Sequence, residues 1–252
     1  MRILLSNDDG IFSDGIQALA QVIKRDHEIV LVAPDKERSA ASQSITMRKP
    51  LSASREHFDA LKGVTCYAVS GTPADCVKLG LLHIKEGPFD AVITGINHGQ
   101  NMGTDILYSG TVGAAMEACI QGYPAMAVSL LSRKGTFDDF LAAATLAKEV
   151  IDSGAVTGLP KFTMLNMNVP IGAAEIRWAR QGFTRFDEHY EVTDDGFIQL
   201  TGKGFVEIKQ AHPDTDVDLL RAGYASITPL TYNMTDTKSL KAMKERFPSF
   251  NG

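Results

Sequence analysis

Short, nearly continuous apolar runs alternate with amphipathic stretches through the first two-thirds of this 252-residue chain, and that alternation narrows the fold more than any other feature. The runs are Arg2–Ser6, Glu28–Ala33, Val64–Ser70, Phe89–Thr94, Ala125–Leu130 and Phe162–Met167. Each is β-branched or aliphatic with little polar alternation, as strands covered on both faces are. Between them, Gly15–Arg25 places Ile16, Leu19, Ala20 and Ile23 on one helical face. Thr72-Pro73 opens a second helix with a hydroxyl cap and a first-turn proline, and Thr111–Ile120 and Asp138–Ser153 complete the set. Right-handed crossovers then give an α/β, doubly wound, mostly parallel Rossmann-like sheet. The expected strand order is 3-2-1-4-5-6, with a ligand crevice beyond the carboxyl ends of strands 1 and 4.

After about residue 175 the texture changes. Arg177–Gly182, Glu188–Thr193, Phe197–Thr201 and Phe205–Ile208 are short strand-like runs, with turns expected at Asp194-Asp195-Gly196 and Gly202–Gly204. A C-terminal β-hairpin arm is predicted, followed by a returning strand near Tyr224–Thr228 and a polar terminal helix over Asp236–Arg246. Residues 1–175 are read as the catalytic domain, and 176–252 as a hairpin-containing region packed on it and serving oligomerisation.

The formal net charge of −5 argues against stable binding to nucleic acid or to an anionic membrane. An anionic small substrate would instead need a local positive centre, which a bound cation supplies. Cys66, Cys76 and Cys119 form no CxxC and are read as reduced core residues. The chain opens on strand-like Met1-Arg-Ile-Leu-Leu5 without a leader, and no apolar run approaches the roughly 18 residues a membrane span needs, so a cytoplasmic location is expected.

Chemistry concentrates in loops after strand ends. Ser6-Asn7-Asp8-Asp9-Gly10 follows the first strand, and its adjacent carboxylates repel unless a cation joins them. Hard oxygen ligands point to Mg²⁺ or Mn²⁺. The same residues also suit an Asx turn or helix cap. Gly95–Asp105 follows the fourth strand, with Asn97 two or three residues past its end; an amide oxygen there completes a cation's shell, or the loop merely satisfies itself. Tyr108-Ser109-Gly110-Thr111 leads into a small-residue helix whose N–H groups and dipole attract anions, and its hydroxyls serve equally as caps. In the loop after strand 2, Ser39 is placed to reach the metal, and Ser42 or Ser44 the substrate; alone it reads as an ordinary polar loop. The motif GxxxxGK[ST] does not occur, so this is not a Walker loop.

Asn7-Asp8-Asp9-Gly10, Ala33-Pro34-Asp35…Arg38-Ser39, Gly71-Thr72-Pro73-Ala74-Asp75-Cys76-Val77 and Gly95-Ile96-Asn97…Gly99…Asn101…Gly103…Asp105…Tyr108-Ser109-Gly110-Thr111-Val112 together resemble the survival protein E (SurE) family of 5′/3′-nucleotidases. The resemblance runs from Met1 to about Ser132 and continues more loosely beyond. It implies a metal-dependent phosphatase of nucleoside 5′- and 3′-monophosphates, with short polyphosphate as a further substrate of some members. By position it puts metal ligands on Asp8, Asp9, Ser39 and Asn97, and phosphate binding on Ser109, Gly110 and Thr111 with Asn101 nearby. Asp8, Asp9, Asn97 and Ser109 are thus the expected catalytic set. It further implies a homodimer or homotetramer exchanging hairpin and tail. His98 and Glu117-Ala118-Cys119 depart from the family pattern, though neither coincides with an expected ligand.

The expected chemistry is hydrolysis at a cation that offsets transition-state charge and activates water. A phosphoacceptor receiver would need an Asp where Val69-Ser70-Gly71-Thr72 stands, and an Asp-x-Asp phosphatase would not read Asp8-Asp9-Gly10. The competing class is a non-catalytic nucleotide-binding regulatory module using the same crevice.

Overall fold

The computed structural model describes residues 1–84, 86–132, 134–208 and 212–250. In chain order its elements are β1 (Arg2–Ser6), α1 (Asp14–Ile23), β2 (Glu28–Pro34), β3 (Ala53–Glu56), β4 (Thr65–Val69), α2 (Pro73–Leu82), β5 (Ala91–His98), α3 (Gly110–Ile120), β6 (Ala125–Leu131), α4 (Phe137–Asp152) and β7 (Thr163–Pro170). They continue as β8 (Ile176–Trp178), β9 (Thr184–Val192), β10 (Ile198–Glu207), α5 (Asp216–Arg221), β11 (Ala225–Thr231) and α6 (Thr237–Arg246).

Nine strands form one sheet in the order β3-β4-β2-β1-β5-β6-β7-β11-β8. The six central strands run parallel, and in the order of the six sequence runs they stand 3-2-1-4-5-6, as expected. Their apolar side chains divide between two cores. One gathers Ile16, Leu19, Ile23, Phe140 and Ala147 from α1 and α4. The other gathers Cys76, Val77, Val112 and Ala115 from α2 and α3. This two-sided burial is why the strand runs lack polar alternation. Reciprocal capping boxes, Thr72 with Asp75 and Thr136 with Asp139, start α2 and α4, each cap contributing about 1 kcal/mol. The three cysteines are free and buried. Burial pushes the Cys66 thiol up to about 11 and raises Cys76 and Cys119 as well, so none is a ready nucleophile.

The structure corrects four local expectations. Strand β5 does not stop at Thr94: Asn97 and His98 still pair with Ser129 and Leu130 of β6 after a register shift, so the loop begins at Gly99. Gly202–Gly204 is not a turn but a bulge inside β10, between the pairings Gly202↔Glu188 and Phe205↔Phe186. The run Arg177–Gly182 contributes only its first two residues to β8, which pairs with β11 in the main sheet. Edge strand β3, antiparallel to β4, was not anticipated because Ala53–Glu56 is short and polar. The predicted hairpin is present as β9–β10, and β11 returns antiparallel to β7.

Candidate active site

The acid pair sits where β1 ends against the start of α3 and the end of β5. Asn7 builds the turn: its side-chain amide donates to Gly10 O at 2.9 Å and Ser13 Oγ at 2.8 Å. The Asp8 carbonyl accepts the Arg38 N–H at 2.7 Å, which ties the loop after β2 to the same place. Asp8 is buried and takes the Thr111 hydroxyl on Oδ1. Its other side fits only because residue 110 is glycine, since a Cβ there would lie 2.9 Å from Asp8 Cβ and Oδ2. Asp9, half-buried, accepts the His98 N–H on Oδ2 at 3.1 Å. The two consecutive carboxylates are therefore held by two different elements.

Burial pushes the Asp8 carboxyl up from 3.8 to about 6, against the Thr111 hydroxyl that lowers it and with the neighbouring Asp9 charge that raises it further. Asp9 is raised too, chiefly by burial, partly offset by the His98 N–H. Among the described residues, no Lys or Arg forms an ion pair with either. Only the His98 side chain offsets part of the Asp9 charge among the described residues, and two carboxylates with so little cationic compensation are a donor set that suits a hard divalent ion.

Asn97 donates its amide nitrogen to two carbonyls at the end of β5 and the start of the following loop, His98 O at 3.3 Å and Gly99 O at 2.8 Å. Two carbonyl partners fix which end is nitrogen, so its carbonyl oxygen, the end a cation needs, takes none of the bonds found among the described residues. Ser39 lies on the segment docked to Asp8, but its hydroxyl donates to Glu37 rather than joining the acid pair. Ser42 is likewise engaged, donating to Leu107 O at 2.8 Å while its N–H donates to Tyr108 O at 3.1 Å. Ala40 and Ser42 both have positive φ (54° and 51°), a cost of about 1 kcal/mol or more each that the docking contacts sustain. The Ser44 carbonyl accepts the Thr72 hydroxyl at 2.6 Å.

At the start of α3, Ser109 is the cap, its Oγ accepting the Val112 N–H at 3.1 Å. Gly110 and Thr111 follow as the first helical residues, and Thr111 faces Asp8. Capping and proximity to the acid pair therefore coexist. Beside Ser109 opens a groove of about 630 Å³ bordered by Ser42, Leu107, Val112, Met116 and Tyr232.

Asn101 is buried in a polar network that the sequence reading missed. Its N–H donates to Asn168 Oδ1 at 2.8 Å and its side chain to Ser129 Oγ at 2.8 Å, while its carbonyl accepts Asn166 Nδ2 at 2.7 Å and Asn168 Nδ2 at 3.0 Å. The signal was present as two asparagines at period two in the otherwise apolar Thr163–Pro170. His98 packs its ring on Phe140 with centroids 4.5 Å apart.

Asp8, Asp9, Asn97, Ser109, Gly110 and Thr111 are thus brought to one end of the sheet, with Ser39 on the adjoining segment turned toward Glu37. Residues 3–188 match the family model described as Survival protein SurE. The chain is 45% identical to the 5′-nucleotidase SurE of Pelotomaculum thermopropionicum, covering 97% of this chain and 95% of that protein. It is 42% identical to the 5′-nucleotidase SurE of Synechococcus elongatus over 96% and 98%. Its fold superposes on the crystal structure of the Aquifex aeolicus Sure protein with a TM-score of 0.81, 34% identity and coverage of 98% and 99%. With this family match and these near-full-length relatives, the chain belongs to the SurE family.

Proposed function

We propose that this chain is a divalent-metal-dependent phosphomonoesterase that hydrolyses nucleoside 5′-monophosphates, and also 3′-monophosphates and short polyphosphate. The observation that carries the reading is the acid pair: two carboxylates raised chiefly by burial, with no Lys or Arg ion-paired to either among the described residues, beside the N-terminus of α3. The names of the relatives, 5′-nucleotidase SurE, support the substrate class.

Asp8, Asp9 and the Asn97 carbonyl oxygen would hold Mg²⁺ or Mn²⁺, joined by Ser39 once its hydroxyl leaves Glu37. Such an ion supplies charge neutralisation at a phosphate oxygen and a lowered pKa for water. Thr111 orients the Asp8 carboxylate through its hydroxyl. Asp9, with Oδ2 fixed by the His98 N–H, retains Oδ1 to accept the proton of an attacking water. Ser109 and the first N–H groups of α3 bind the non-bridging phosphate oxygens, with Asn101 at the flank. The groove beside Ser109 offers the apolar surface a nucleoside base requires.

Among the described residues no helix is long and apolar enough to cross a membrane, and we place the enzyme in the cytoplasm. Residues 176–252 serve oligomerisation, as a homodimer or homotetramer. In support, the hairpin exposes Tyr190, Val192, Phe197 and Ile198, and α6 buries none of its residues.

The decisive experiment incubates 5′- and 3′-nucleoside monophosphates with the protein in Mg²⁺, Mn²⁺ or chelator and measures phosphate. Release that requires the cation is expected. Tight nucleotide binding without release from any substrate would replace the enzyme by a binding module, and release indifferent to chelator would remove the metal.

A further inference from the structure

Of the buried carboxylates outside the acid pair, Asp216 joins two distant parts of the chain. Asp216, the first residue of α5, is fully buried. Its Oδ2 accepts the Gly103 N–H at 2.9 Å; its Oδ1 accepts the Gly182 N–H at 2.8 Å and the Val217 N–H at 2.9 Å. Gly103 precedes the phosphate-binding segment, and Gly182 precedes β9, the first strand of the exposed hairpin. Thr184, at the root of that hairpin, repeats the link. The Thr104 N–H donates to Thr184 Oγ1 at 3.0 Å, and the Thr104 hydroxyl donates to the Thr184 carbonyl. Gln181 adds a third tie, donating to Gly103 O at 2.9 Å. The fit tolerates no side chain at residue 103, where φ is +54° and a Cβ would lie 2.8 Å from Thr184.

From this clamp the chain runs directly to the site. Residues Gly103–Leu107 form a 3-10 turn, and the N–H groups of Tyr108 and Ser109 both return to Asp105 O, at 3.0 and 3.1 Å. No flexible stretch separates Gly103 from the Ser109 cap of α3. An apolar side chain here would leave these buried N–H groups without an acceptor, so the carboxylate's contribution is tied to holding these particular segments together. Two of its three N–H partners, Gly103 and Gly182, come from segments far from its own and from each other, which is what a positional role requires.

Building on the phosphatase reading, we infer that Asp216, with Thr184, is a positioning residue: it sets the segment from Gly103 to Ser109, and with it the phosphate-binding start of α3, relative to the root of the β9–β10 hairpin. Whatever seats the hairpin arm therefore also sets the phosphate site.

The test compares the full-length wild type with Asp216→Asn, Thr184→Val and Thr184→Ser. Asparagine keeps the shape but turns an N–H₂ toward one of the N–H donors; valine removes the side-chain acceptor of the Thr104 N–H while the Thr184 carbonyl still takes the Thr104 hydroxyl, and serine retains both. With AMP and Mn²⁺, kcat/KM should fall about 10- to 100-fold in Asp216→Asn and about tenfold in Thr184→Val, mainly through KM, with Thr184→Ser near wild type. Amide hydrogen exchange over residues 101–111 should quicken in the first two variants and not in the third, with β1 unchanged. Folded Asp216→Asn and Thr184→Val proteins with wild-type KM, kcat and exchange would overturn the inference. Should Asp216→Asn fail to fold, the Thr184 pair decides alone. Should the wild type release no phosphate from any nucleotide, the phosphatase reading fails, and hydrogen exchange still decides the clamp.

Discussion

The loops at the carboxyl ends of the central strands and the C-terminal arm obey opposite rules. Around Asp8 and Asp9, polar groups are claimed by partners from other elements: Thr111 from α3, His98 from β5, Arg38 from the loop after β2. On the arm, β9 is exposed beyond Thr184, and α6 lies on the surface with Leu240 and Met243 about half exposed. One region takes its tethers from its own chain, and the other presents apolar surface that the described residues leave uncovered. The contrast teaches that the loops around the acid pair are fixed from within while the arm is not, with Asp216 and Thr184 tying the two at the hairpin root.

The largest expected effect strikes the first region. Asp9→Asn should lower cation-dependent phosphate release from AMP or GMP by about a thousandfold while circular dichroism stays unchanged. Near-normal turnover by that variant would mean the preformed loops are not where the chemistry lies. Next comes Gly110→Ala, whose new methyl presses on the Asp8 carboxylate; kcat/KM should drop about a hundredfold. An unchanged rate constant would show that Asp8 has slack the packing denies.

A third prediction concerns pH. The folded-state pKa of Asp8 lies above its unfolded value of 3.8, at about 6. The folded protein then binds the proton more tightly, so the contribution to stability is favourable below pH 4 and is lost as pH rises through 6. Its full size is on the order of 3 kcal/mol. In chelator, Asp8→Asn should therefore be more stable than wild type at pH 7, and the gap should close by pH 4. Denaturant titrations at the two pH values measure this, and a gap that widens on acidification would reverse the sign. The smallest effect belongs to the second region. Deleting α6 should change protomer stability by less than about 1 kcal/mol while lowering the mass found by light scattering. A large loss of stability with unchanged mass would erase the contrast between the regions.

Much of the first region was legible because its signals are local. Strands buried on both faces read as unbroken apolar runs, so the six central strands followed from the sequence, and their order was that of the common doubly wound sheet. The loops bearing Asp8–Asp9, Asn97 and Ser109–Thr111 could be grouped because each follows a strand's carboxyl end. Side-chain directions were not legible: nothing local says that Ser39 turns to Glu37 or that Thr111 turns to Asp8. Gly95 looked like the end of a strand, whereas β5 bends through a register shift and continues to His98. Gly202 and Gly204 looked like a turn because a bulge uses the same residues. Asn166, Asn168 and Asp216 escaped notice because their partners lie 65, 67 and 113 positions away in the chain. Contacts at that range leave no periodicity to read.

Asp8 and Asp9 are neighbours in the chain yet fastened to different elements. Neither can rotate away from the other without breaking its own tether, so folding locks their mutual repulsion in place and only something from solution can relieve it. On the proposed reading of the site, the melting temperature should therefore rise with added Mg²⁺ or Mn²⁺, and a thermal scan with and without chelator measures that coupling.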